Sequence, residues 1–268
     1  MIAERYITEW SKIFPWTKNS FVEQDLVICR ALVDIFSDPY LSGALAFRGG
    51  TAIHKLHFSP QVRYSEDIDL VQVEPGPVKP IAERLGEVLS WLPRKTTEMR
   101  RFGFRMKFRY DSEIAPIEPM RLKIEVNTYE HFSVLGYASI PFDLHNSWYS
   151  GSCRIKTYSL DELMGTKLRA LYQRKKGRDL FDFNLALPRV DESAVVRVWR
   201  EYMRFSVGEV PSLKQFEANM DEKMTLNDYL GDVEPLLRGG ITFNPHEAYA
   251  KFKKIGRASC RERVSVRV

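Results

Sequence analysis

FRGGTAIHKL, Phe47 to Leu56, followed by RYSEDIDLV, Arg63 to Val71, is the stretch on which the fold turns. The apolar run Ala44 to Phe47 meets the pair Gly49-Gly50 and then Thr51 to Leu56, which reads as strand, tight glycine turn and helix. Glu66 to Val73 alternates, with Ile68, Leu70 and Gln72 opposite Asp67, Asp69 and Val71, and this predicts a second strand. A period of two projects Asp67 and Asp69 from the same face, a few ångströms apart. Like charges that close need a counter-ion, although two aspartates also suit an ordinary solvated sheet surface.

Context around the pair points to phosphate chemistry. Backbone N–H groups at Gly49 and Gly50 can approach phosphate oxygens, with the following helix N-terminus aimed at the same anion. Thr51 is placed either to cap that helix or to touch phosphate. In Arg121 to Asn127, Leu122, Ile124 and Val126 face one way and Lys123, Glu125 and Asn127 the other, so Glu125 joins the two aspartates if this strand pairs beside theirs. Three hard oxygen ligands suit Mg²⁺ or Mn²⁺ in phosphoryl or nucleotidyl transfer.

Working outward, Val22, Leu26, Cys29, Val33 and Phe36 recur at steps of three and four, which predicts an amphipathic helix over 20–36 closed by Asp38-Pro39. Glu74 to Pro80 reads as a loop, and Ile81, Leu85, Val88, Leu89 and Leu92 as a helix ended by Pro93. Phe104 to Tyr110 adds a strand. From Ser159 the pattern turns helical: Ser159 and Glu162 form a capping box ahead of the stripe Leu160, Leu163, Met164, Leu168 and Leu171. Further helices are expected around 179–187, 193–205 and 213–224. The fold class is therefore α/β (α+β), a mixed sheet followed by a helical C-terminal region, with a soft boundary near 150–158. The domains expected are 1–155, containing the N-terminal helix and the sheet, and 156–254, which is helical.

GGT, then SEDID, then SLDELMGTKLRAL (Ser159 to Leu171), then KKGRDLFDF (Lys175 to Phe183), in that order, resemble the signature of DNA polymerase β-type nucleotidyltransferases. Within that superfamily they are most similar to the AbiEii/AbiGii toxin family. The resemblance spans roughly residues 40–190 and implies a nucleotidyltransferase core whose active site the helical domain completes. It implies that Gly49, Gly50 and Thr51 hold the triphosphate, that Asp67 and Asp69 bind metal, and that Lys167 and Asp179 complete the site. Lys167 would neutralise phosphate charge, and Asp179 would orient that lysine or act as a base. It also implies an NTP substrate, a tRNA acceptor and a cognate antitoxin encoded nearby.

Other residues flank these motifs. Arg48 and Arg63 stand where each can reach substrate phosphates or form a structural salt bridge, and Ser65 shares the strand face of Asp67. Arg178 can clamp phosphate bidentately or pair with a carboxylate such as Asp182. His54 and His57 lack the spacing of a zinc pair. The cluster Arg169, Arg174, Lys175, Lys176 and Arg178 is either a solvated face or a set of RNA phosphate contacts.

Composition excludes several classes. The 268 residues are 44% hydrophobic and 28% charged, with no apolar run near the roughly 20 residues that span a bilayer. The start MIAERYITEWSK carries charge where a secretory signal is apolar, so no membrane partner and a cytoplasmic location are expected. Cys29, Cys153 and Cys260 are widely spaced, which supports neither a disulfide framework nor a zinc knuckle. IGRASCRERV, Ile255 to Val264, resembles the translation of a sequencing-adapter oligonucleotide, so 255–268 is expected to be an artefact that replaces the natural C-terminus. Without it, residues 1–254 hold 36 basic and 34 acidic side chains, a net +2, and global basicity fades as an argument for a polyanion partner.

The leading expectation is Mg²⁺-dependent transfer of NMP from an NTP to an acceptor hydroxyl, as the toxin of a toxin–antitoxin or abortive-infection system. A kinase-like or self-modifying phosphotransferase on the same site, with Ser65 among its acceptors, is the alternative. A non-catalytic nucleotide- or nucleic-acid-binding protein is the third reading.

Overall fold

In the computed structural model, which describes residues 2–254, β1 (Leu45–Arg48) and β2 (Asp67–Gln72) pair antiparallel in the middle of a seven-stranded mixed sheet. The adapter-like stretch from Ile255, Cys260 included, lies outside the described residues. The other strands are β3 (Lys95–Arg100), β4 (Gly103–Asp111), β5 (Pro119–Asn127), β6 (Tyr137–Asn146) and β7 (Tyr149–Tyr158). The order across the sheet is β3-β4-β5-β2-β1-β7-β6. β2 runs parallel to β5 and β1 parallel to β7, while the β3-β4, β4-β5 and β6-β7 pairs are antiparallel.

The described chain divides into two units, residues 2–158 with Leu236–Gly240, and residues 159–235 with 241–254. In the first, α1 (Glu4–Ser11), α2 (Asn19–Ser37), α3 (Pro39–Ala44), α4 (Gly49–His57) and α5 (Val78–Val88) accompany the sheet. Leu236–Gly240 joins it through the bridge between Arg63 and Leu237, with Tyr64 N–H donating to the Leu236 carbonyl at 2.8 Å.

α2 is the helix expected over 20–36, and its burial exceeds the amphipathic reading. Its apolar stripe packs against β5, β6 and β7, while α1, α3 and α5 contact other parts of it, so even Glu23, Gln24 and Asp25 are buried. Buried polar groups need partners. Asp25 has two, Trp10 Nε1 at 3.0 Å and Lys55 Nζ at 2.7 Å. The second contact ties α4 to α2 from below and fixes the helix whose first turn matters to the site.

Departures from the sequence reading have local causes. α5 begins at Val78, inside the stretch read as a loop, because Pro80 lies in the first turn, where a backbone N–H has no intrahelical partner to lose. The regular helix stops at Val88, and Leu89 and Leu92 are buried in the turns that follow. β3, β6 and β7 were not read as strands. Every residue of β3 is exposed, so it shows no apolar alternation; in β6, Ile140, Phe142 and Leu144 do alternate with exposed Ser139, Pro141, Asp143 and His145, but a proline in the middle of the run weakens its strand signal.

In the second unit, Ser159 caps α6 (Leu160–Gln173) by accepting from Glu162 N–H, one half of the expected capping box, and the Glu162 carboxylate accepts from the Tyr202 hydroxyl at 3.0 Å. α7 (Arg178–Ala186), α8 (Glu192–Val207), α9 (Leu213–Lys223) and α10 (Asn227–Leu230) follow, and α6 packs against α7, α8 and α9. Gly165 of α6 sits so close to α8 that a Cβ there would lie 2.4 Å from Val198 Cγ1. No helix among the described residues is long and apolar enough to cross a membrane.

Candidate active site

Strand register assembles the polar face. Arg48 stands opposite Asp69 on the β1-β2 side, and Glu125 stands opposite Asp69 on the β2-β5 side. β5 therefore does pair beside the DxD strand, the condition on which the third carboxylate depended. One strand further out, Arg105 of β4 is opposite Glu125. The row Arg48, Asp69, Glu125, Arg105 crosses four strands, with an arginine at each end and the two carboxylates side by side between them.

Gly49 and Asp69 fit each other closely. Residue 49 has φ +81°, and a Cβ there would stand 2.2 Å from Asp69 Oδ2. The Asp69 carboxylate thus lies against the bare first residue of α4, whose leading N–H groups have no partners within the helix. Thr51, buried in that first turn, donates its hydroxyl to the Asp67 carbonyl and sits 2.8 Å from Ser65 Oγ. Both hydroxyls brace α4 against the start of β2 and hold the spacing between the glycine turn and the aspartates. Arg48 Nη1 binds Glu130. Arg63 is buried and donates to the Tyr64 carbonyl at 2.8 Å, a structural rather than a phosphate contact.

The carboxylates already carry cations from the chain itself. Lys123 Nζ lies 2.6 Å from Asp67 Oδ2 and 3.5 Å from Glu125 Oε1, and the Arg105 guanidinium also holds Glu125. Burial would raise Glu125, but the charge of Lys123 and the hydrogen bond from Arg105 bring it below the usual carboxylate range. Asp69 goes the other way: burial, then the like charge of Asp67, raises its carboxyl above its ordinary value despite Arg48 and Lys123. A carboxylate held at that cost is stabilised by a dication. Asp67 and Asp69, two hard oxygen donors at i and i+2, fit Mg²⁺ or Mn²⁺. Among the described residues no group of three or more metal-binding side chains is arranged to hold an ion, as the Glu125 carboxylate is turned toward Arg105 and Lys123. Neither Lys123 nor Arg105 was singled out in the sequence; the two-residue period that sets Lys123 on the face of Glu125 was the available signal for the first, whereas Arg105 reaches Glu125 only through the pairing of β4 with β5.

Beside Asp69 opens a cleft of about 360 Å³ whose lining includes Arg48, Glu125, Arg105, Asn127 and the β3-β4 turn. It lies wholly within the first unit.

In the second unit Lys167 and Asp179 meet at 3.1 Å, and Lys167 also reaches Asp182 at 2.9 Å. All three are buried. Arg174 adds a two-pronged contact to Asp179, at 2.6 and 2.7 Å. Burial opposes ionisation of Asp179, yet Lys167 and then Arg174 hold its carboxyl below the usual range. Arg178 lies 3.9 Å from Asp232 rather than beside Asp182, its expected alternative partner. Much of the basic cluster is likewise paired: Arg174 with Asp179, Lys175 with Glu222, Lys176 with Asp232. His54 is buried within 6.0 Å of the Phe58 ring centroid.

Comparison with known proteins agrees with the fold. The chain is similar to MenT4, the nucleotidyltransferase toxin Rv2826c from Mycobacterium tuberculosis H37Rv, with TM-score 0.63, 14% identity, and 95% of this chain and 88% of that one covered. It is similar to a putative nucleotidyltransferase from Helicobacter pylori (TM-score 0.57, 17% identity, 94% and 99% covered). It also resembles JHP933 from H. pylori (TM-score 0.56, 18% identity, 91% and 92% covered). No curated protein matches by sequence. These likenesses define a fold shared with nucleotidyltransferases. Residues 30–253 match the model of the nucleotidyl transferase AbiEii toxin family, type IV toxin–antitoxin system, and the chain belongs to that family. It is a nucleotidyltransferase.

Proposed function

We propose that the enzyme moves NMP from an NTP to a hydroxyl of an RNA acceptor, tRNA, with Mg²⁺ or Mn²⁺ as cofactor. In this reading it acts in the cytoplasm as a toxin held in check by an antitoxin encoded nearby. The observation that carries the reading is the seating of Asp69 against Gly49, which sets a metal-type carboxylate beside the unpartnered N–H groups of α4. The triphosphate would be cradled by Gly49 and Gly50, with Thr51 and Ser65 fixing the cradle and Arg48 adding charge. A divalent ion bound there supplies charge neutralisation at the phosphates and a more acidic attacking hydroxyl. Asp67 and Asp69 would hold that ion, with Lys123, now 2.6 Å from Asp67, giving up its place there. Glu125, next in register, holds the acceptor side once released from Arg105, as a third metal ligand or a base.

The motif order supports a part for Lys167, Asp179 and Arg178 in the same reaction: Lys167 as the charge that meets phosphate, Asp179 as the group that orients it, Arg178 as a phosphate contact. The domain division follows the same logic, with 1–155 as the nucleotidyltransferase-like part and 156–254 as the helical part.

The test is transfer of label from each of the four α-labelled NTPs, with Mg²⁺, onto total bacterial tRNA, by the full chain and by its Asp67→Ala/Asp69→Ala form. Labelled RNA with one NTP and pyrophosphate release, both lost in the double variant, is the expected result. Nucleoside diphosphate with γ-label on the protein would instead mark a self-modifying phosphotransferase.

A further inference from the structure

The turn between β3 and β4 is built as a platform. Arg100 and Gly103 pair across it, so only Arg101 and Phe102 form the loop. Gly103 has φ +151°, and a Cβ there would fall 1.9 Å from the Val126 carbonyl oxygen, so the turn presses directly onto the end of β5. Thr128 N–H donates to the Phe102 carbonyl at 3.0 Å and pins it there. The Phe102 ring, 46% exposed, lies 4.7 Å from that of Tyr129, 45% exposed, and the Arg101 guanidinium sits 4.9 Å from the Phe102 centroid.

Large exposed aromatics beside a charged cleft call for an occupant. The cleft at this turn is lined by four arginines, Arg48, Arg100, Arg101 and Arg105, against two carboxylates, Asp69 and Glu125. Glu98 offsets part of that charge through Arg100 at 2.9 Å and Arg105 at 4.0 Å. Glu130 binds Arg48, so four carboxylates meet the four arginines, and the arginine left without a carboxylate partner among the described residues is Arg101, which stands beside the ring pair at the surface. Aromatic rings with arginines alongside are what unpaired nucleotides bind, by base stacking and phosphate contact.

Sheet order gives the direction. The glycine turn that would hold the triphosphate is on the β1 side of Asp69, whereas Glu125, Arg105 and the β3-β4 turn are on the other side. A second substrate reaching Asp69 has the β5-β4 side open to it.

We infer that Phe102, supported by Tyr129, Arg100 and Arg101, is the docking platform on which the unpaired end of the RNA acceptor stacks as its terminal hydroxyl approaches Asp69. This deepens the nucleotidyl-transfer reading and rests on it for the identity of the acceptor. It also moves RNA recognition away from the basic stretch 169–178, much of which is engaged in ion pairs.

Two binding measurements separate the platform from the chemistry. Fluorescence anisotropy with the full chain compares an RNA hairpin bearing a four-nucleotide single-stranded 3′ overhang with the same hairpin made blunt. Calorimetry follows the four α,β-methylene NTPs. Phe102→Ala is expected to weaken overhang binding about tenfold, to leave the blunt hairpin and the NTP analogues within about twofold, and Phe102→Trp to restore it. Arg100→Ala/Arg101→Ala is expected to lower the slope of log affinity against log salt by about 1.4, two phosphates at roughly 0.7 each. Phe102 is half in solvent, so its truncation leaves the core intact, which circular dichroism checks. Loss of analogue binding in Phe102→Ala would assign the cleft to the donor base and overturn the proposal. Unchanged overhang binding, or no preference of the unaltered protein for the overhang, would overturn it as well. If the unaltered protein binds the overhang through Phe102 but transfers no label to any RNA, the platform stands and the transfer reading falls.

Discussion

Asp69 Oδ2 occupies the space that a side chain on residue 49 would need: a Cβ there would lie 2.2 Å away. Residue 49 also has φ +81°, a conformation that disfavours every residue with a Cβ. Gly49→Ala should therefore push Asp69 off its seat, cutting transfer at least a hundredfold and costing about 1–3 kcal/mol of stability. Gly50→Ala, one residue further into the helix at an ordinary φ, should leave stability within about 1 kcal/mol. Urea unfolding and the label-transfer assay, run on both variants, check the contrast.

Asp69 should destabilise the fold it serves. Its carboxyl is raised above the ordinary range by burial and by Asp67, so the folded state releases the proton less readily than the unfolded one. The resulting stability is full below the unfolded value, about 3.9, and is lost as pH rises through the higher folded value. At pH 7 without metal, Asp69→Asn should accordingly be inactive yet melt at a higher temperature than the unaltered protein, and the gap should shrink toward pH 3. A lower melting temperature at pH 7 would contradict this account.

Metal should reverse that penalty. If Asp67 and Asp69 hold the ion, Mn²⁺ at a hundred times its dissociation constant should add about 2.7 kcal/mol to the unaltered protein and nothing to Asp67→Asn/Asp69→Asn. Lys123→Met, which removes the cation 2.6 Å from Asp67, should tighten Mn²⁺ binding because no ammonium competes for the carboxylate. Thermal shift against Mn²⁺ concentration measures all three proteins.

Lys167 is 5% exposed and faces both Asp179 and Asp182. Lys167→Met leaves buried carboxylates without that charge and should cost about 3–5 kcal/mol. For Asp179, whose carboxyl is held low, the stabilisation is present above the unfolded value, about 3.9, and disappears as pH falls through the lower folded value. Chemical denaturation from pH 7 to pH 2 should show the Lys167→Met deficit closing in that acid window. Single-turnover transfer by the folded fraction then separates a part in phosphate binding from a purely structural one.

Much of the site could be read along the chain because it is local. Asp67 and Asp69 share a face through the two-residue period, Gly49 breaks the helix start, and Ser159 with Glu162 signals a helix, each within a few residues. Glu125 was legible only as a condition, since nothing local says which strand lies beside β2. β3 escaped notice because a fully exposed strand has no apolar face to alternate, and Phe102 escaped with it. The basic stretch 169–178, readable as either a solvated face or a set of RNA contacts, shows the same limit, because a run of positive charge does not reveal the Asp179, Glu222 and Asp232 carboxylates that pair with it.

By itself the sequence determined the family, the glycine turn, the aspartate pair and the change from sheet to helices, for these depend on backbone preference and side-chain period over short spans. Tertiary structure alone decided that β5 enters between β2 and β4, that Lys123 and Arg105 hold the carboxylates, that Lys167 is buried, and that a two-residue turn sets Phe102 at the mouth of the cleft. Those outcomes rest on pairings between distant segments, where register, burial and charge are settled together by packing.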